Sequence, residues 1–139
     1  MNIRKCDSIT VEAAKKMGAG AVKKATEMNV PVVFSVVDNG GNLLYLERMD
    51  KAFVTSVDIA INKAFTAWAL KTPTNTMSEA VLPGQSLYGL NTTNNCRIIT
   101  FGGGFPIIVD GEIVGAVGVS GGTVEEDMAI AQAGLEALK

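Results

Sequence analysis

The chain contains no histidine. That removes Ser-His-Asp and Cys-His nucleophilic catalysis, and with them histidine-ligated zinc and haem. Any chemistry must come from carboxylates, Lys, Arg, Tyr, Ser, Thr, the two cysteines, backbone amides or a cofactor. Two cations stand in settings that ask for a reason. Arg48 ends a strand-like run, in Arg48-Met49-Asp50. It can hold a carboxylate in bidentate geometry, and a surface Arg–Asp pair of little energetic weight reads nearly as well. Lys63 lies on an otherwise apolar helical stretch, one turn before Thr66. It faces a cleft or an interface, or it snorkels to solvent.

The glycines are the second unusual feature. Eight of the chain's fifteen fall between Phe101 and Gly122. Glycine inside a regular element costs roughly 0.5–1 kcal/mol relative to alanine. No Gly-Lys dipeptide occurs, so the stretch is not a P-loop, and Ile107 stands where G-x-G-x-x-G needs its third glycine. Gly102-Gly103-Gly104, followed by Phe105-Pro106, lets amides point at a ligand or serves as a loose connection. Ser120-Gly121-Gly122 opens the last helix, where free amides make an anion site. Glu125, Glu126 and Asp127 in that first turn compete for it. On the intervening strand Val114, Ala116, Gly118 and Ser120 share one flat face. A flat face admits a helix, a second subunit or a planar ligand.

These residues need elements to position them. Thr10 caps a helix reaching about Asn29, with Val11, Ala14, Met17, Ala21, Ala25 and Met28 on one face. Pro31 stops it. Val32–Asp38 and Asn42–Arg48 form a hairpin around Asn39-Gly40-Gly41. Phe53–Leu70 is helical, with an apolar stripe (Phe53, Val57, Ala60, Ala64, Trp68) and a polar one (Asp58, Asn62, Thr66). A long polar connection, Thr72–Arg97, holds a short helix near Met77–Leu82 from the Thr76/Glu79 spacing. A connection this long is usually functional or mobile. Arg97–Phe101 reads as a short strand. A second hairpin turns at Asp110-Gly111, and Thr123 and Glu126 box the final helix. The order predicts an α+β fold: one antiparallel sheet of about five strands, with helices over one face.

The totals fit one domain over residues 1–139. A net charge of -2 gives no footprint for nucleic acid or an anionic membrane. No signal-peptide core and no apolar run of membrane-spanning length occur. The expected setting is the cytoplasm, with Cys6 and Cys96 as free thiols.

RMD-Ala52, AINKAFTA, FGGGFPI and IVGAVGVSGGTVEED resemble the haem-binding or haem-degrading domain family. That family includes the GlcG and HbpS proteins and the C-terminal domains of PduO-type cobalamin adenosyltransferases. The resemblance spans nearly the whole chain. It implies a fold similar to profilin and PAS domains, homo-oligomers such as tetramers or octamers, and haem or a related tetrapyrrole as ligand. Its motif positions here are Arg48, Asp50, Lys63, Thr66, Gly102, Gly103, Gly104, Pro106, Ser120, Gly121, Gly122 and Asp127. The expectation is a small-ligand-binding accessory protein, a carrier or sensor of haem or a corrinoid. Its ring would lie on the flat glycine face and its propionates on Arg48 or Lys63. The axial atom would come from Met49, Tyr45, Tyr88, Cys96 or a lysine, or be absent. Two other readings stay open: a ligand-free structural partner of a metabolic enzyme, and an enzyme using Asp or Lys as acid and base.

Overall fold

The structure is a computed structural model and describes residues 2–139. Its elements run α1 (Val11–Met28), β1 (Val33–Asp38), β2 (Leu43–Arg48), α2 (Thr55–Leu70), β3 (Gly104–Val109), β4 (Glu112–Ser120) and α3 (Val124–Glu136). The sheet is wholly antiparallel, in the order β2-β1-β4-β3. The α+β class is as expected. The sheet has four strands rather than about five, because the segment at 97–101 does not join it. Ile99 N donates instead to Thr66 Oγ1 on α2, at 3.0 Å.

The helices cover both faces, not one. The reason is visible in β1, which is apolar on both alternations. Phe34 and Val36 meet Met17 and Ala21 of α1 and Ile130 of α3. Val33 and Val37 face α2. Each alternate residue of a strand thus has its own helical layer.

Local chemistry sets the boundaries. Thr10 Oγ1 accepts from Ala13 N and caps α1, and Asn29 closes it in the left-handed region at φ 57°. Thr123 and Glu126 form the expected capping box on α3. Asp110 and Gly111 both take positive φ, 51° and 80°, as a tight hairpin turn requires. Pro106 lies on β3, an edge strand, where a missing N–H is tolerated. The expected helix at Met77–Leu82 is absent. A 3-10 turn at Thr74–Met77 takes its place, with Thr76 Oγ1 donating back to Pro73 O at 2.7 Å.

Candidate functional site

The two glycine turns close on a buried ion pair. Lys63 reaches from α2 past the sheet and donates to Asp127 Oδ2 at 3.0 Å and to Val119 O at 2.8 Å. Lys63 is 1% exposed and Asp127 3%. The Phe101 ring stands over the ammonium, 5.1 Å from its centroid. Asp127 Oδ1 accepts from Gly122 N at 2.8 Å. The chain's own carboxylate therefore fills the anion site at the start of α3. Burial pulls Lys63 below its ordinary value and pushes Asp127 above its own. Their mutual attraction, and the Gly122 and Gly121 amides on Asp127, oppose those shifts.

The glycines around this pair are set by contact. Gly103 has φ 129°, and a Cβ there would stand 2.7 Å from Lys63 Nζ and 2.6 Å from Val119 O. Gly104 N donates to Thr74 Oγ1 at 3.0 Å. Gly102 lies against Val124 and Met128 of α3. Lys63, Gly102, Gly103, Gly104, Ser120 and Asp127 thus gather into one internal knot, with Gly121 and Gly122 on its rim. Ser120 Oγ bonds Ser56 Oγ at 3.1 Å, which ties β4 to the start of α2.

The flat face of β4 is covered by α2. A Cβ on Gly118 would stand 2.6 Å from Ala64 N, and Ser35 Oγ, across the pair on β1, donates to Ala60 O at 2.8 Å. A planar ligand has no room there. Of the three occupants that such a face admits, a helix is the one present.

The remaining motif positions lie apart from the knot. Arg48 and Asp50 are exposed at the end of β2. Arg48 pairs with Val33, which pairs with Ser120 on its other side, so β1 stands between them. Asp50 does not approach Lys63, whose carboxylate partner is Asp127. Thr66 is buried and holds the 97–99 segment, and Pro106 borders an open groove of about 450 Å³ between β3 and α3. Tyr45 OH bonds Glu47 at 2.6 Å, and burial, followed by that bond, pushes its pKa up to about 12. The thiols of Cys6 and Cys96 are free and exposed.

Sequence reasoning missed one cationic residue. Arg97 lays its guanidinium over the Phe65 ring, 3.6 Å from the centroid, and donates from Nε to Asn62 Oδ1 at 3.3 Å. The signal was the polar stripe Asp58, Asn62 and Thr66, which has to face something polar.

Comparison with known proteins agrees with the fold and the motifs. A 15.0 kDa protein from the dhaT–dhaS intergenic region of Citrobacter freundii is 58% identical over 129 residues, 93% of this chain and 91% of that one. The crystal structure of Klebsiella pneumoniae protein ORFY superposes with a TM-score of 0.98 at 55% identity, covering 99% of this chain and 95% of that one. The crystal structure of a PduOC–haem complex superposes with a TM-score of 0.90 at 40% identity, covering 94% of each chain. The family described as haem degrading protein HbpS-like matches residues 9–136, and the chain belongs to that family.

Proposed function

We propose that this chain is a ligand-binding accessory protein that takes haem or a related tetrapyrrole as a carrier or sensor. One observation carries the reading: similarity over 94% of both chains to a domain crystallised with haem. The cytoplasm, where both thiols stay reduced, is part of the same proposal.

The donors left free for such a ligand lie on the outer surface. Lys63 is held by Asp127, Tyr45 by Glu47, and Met49 is packed against the core. Cys96 and Tyr88 are exposed on the long connection between α2 and β3. A thiolate or a phenolate serves as a haem ligand in histidine-free coordination. Arg48, exposed at the end of β2, supplies a cation for a propionate. When bound, the tetrapyrrole would supply its own metal chemistry. The chain's part is to shield one face and fix the charged edge.

Haemin titration of the purified protein, followed by its absorption spectrum, tests the reading. The expected result is a shifted, saturable Soret band, weakened in Arg48→Ala and displaced in wavelength in Cys96→Ser or Tyr88→Phe. A spectrum that stays that of free haemin, unaffected by any of these changes, overturns it. A stable, ligand-independent complex with one metabolic enzyme would then favour the structural-partner reading.

A further inference from the structure

The polar stripe of α2 does more than satisfy its own side chains. Asn62 Nδ2 donates to Asp58 Oδ1 at 3.1 Å. A carboxylate only accepts, so this bond fixes the amide orientation and leaves Oδ1 to face Arg97 Nε. Thr66 Oγ1 accepts from Ile99 N at 3.0 Å and lies 3.2 Å from Arg97 O, so the backbone around Arg97 is pinned to the same helix. Phe65 covers one face of the guanidinium. The side chain is thereby held at its backbone, at Nε and over one face.

The two terminal nitrogens of Arg97 are left over. The ion pairs among the described residues are Lys63–Asp127 and Lys139–Glu136, and Arg97 is in neither. Arg97 is half-buried. A planar donor fork, already ordered and partly dehydrated, has lost its rotamer freedom before any anion arrives. Clasping the 97–99 segment does not need that fork, because the Thr66 bonds to the backbone do it.

We propose that Arg97, Asn62 and Phe65 form a carboxylate subsite, which takes the planar carboxylate of a small organic acid in bidentate geometry. The charge balance favours a monoanion over phosphate. The site has one cation, and Asp58 stands behind Asn62 as the nearest carboxylate of the network. This proposal does not rest on the tetrapyrrole reading.

The test is a titration of the 15N-labelled protein with sodium propionate at constant ionic strength, read at the Arg97 Nε–Hε resonance and the Ile98 and Ile99 amides. Chloride and inorganic phosphate form the parallel arms. Saturable shifts with propionate alone are expected. Arg97→Lys keeps the charge but loses the fork and is expected to weaken binding about tenfold. Phe65→Leu, which leaves every charge in place, is expected to weaken it less. A fold check from amide dispersion accompanies both variants. Absent shifts in the wild type, equal shifts with chloride or phosphate, or unchanged binding in Arg97→Lys would each overturn the proposal.

Discussion

At the scale of single residues, Lys63 is the instructive case. Its helix is apolar enough that sequence alone leaves a cleft, an interface or snorkelling as its reasons. Its partner is Asp127, 64 positions away, and spacing along one helix carries no information about that distance. The pair has lost water on both sides, so its net contribution is small even though each partner depends on the other. Lys63→Met leaves Asp127 with the Gly122 amide and no cation. It is expected to cost about 3–5 kcal/mol, the usual cost of breaking a buried pair from one side. The double variant Lys63→Met/Asp127→Leu is expected to cost less than the two single changes summed. Urea denaturation of the four proteins gives the coupling directly. Additive losses would mean that the two side chains act independently and that the pair is not the centre of the knot.

At the scale of elements, most boundaries were legible. The 3.6-residue period of α1, the Asp110-Gly111 turn and the Thr123/Glu126 box each depend on local chemistry, and each stands where it was read. Two element-level features were not legible. The 97–101 segment looks like a strand, but Thr66 takes the Ile99 amide that a neighbouring strand would have used. The flat face of β4 was legible as flat, while its occupant depends on how α2 crosses the sheet. Small residues make that crossing close: Gly118 and Ser35 on the sheet, Ala60 and Ala64 on the helix. Gly118→Val therefore inserts bulk where backbone already stands. The expected cost is at least the ~1–3 kcal/mol of an overpacked core. The amides of α2 should exchange faster with solvent than those of α1, which lies on the other face. Gly89→Ala is the control. It has φ 92° but nothing within 4 Å of the added carbon, so only the backbone penalty of about 1 kcal/mol applies. Equal losses in the two variants would show that crowding under α2 is not what Gly118 relieves.

At the scale of the whole molecule, the long connection between α2 and β3 is built differently from the rest. It runs through three 3-10 turns, at Thr74–Met77, Leu90–Thr92 and Asn94–Cys96, bonded mainly to their own neighbours. Asn94, Asn95 and Cys96 take positive φ in succession, a conformation that costs non-glycine residues energy. Along this connection Leu82, Leu87 and Tyr88 are exposed, Tyr88 at 68%. Large apolar side chains exposed close together in sequence are candidates for burial by association. A homo-oligomer, the state implied by the family resemblance, would cover them. The prediction is that the purified chain elutes as a multimer by size-exclusion chromatography with light scattering. Leu82→Ser/Leu87→Ser/Tyr88→Ser should lower its mass toward that of one chain while its circular dichroism stays unchanged. If haem binds on this connection, through Cys96 or Tyr88, the dissociated variant should also bind haemin less tightly than a Tyr88→Phe variant that still associates. A variant that dissociates yet binds haemin as tightly as that control would separate assembly from the ligand site. A wild-type chain that elutes as a monomer would leave the exposed side chains to a different protein partner.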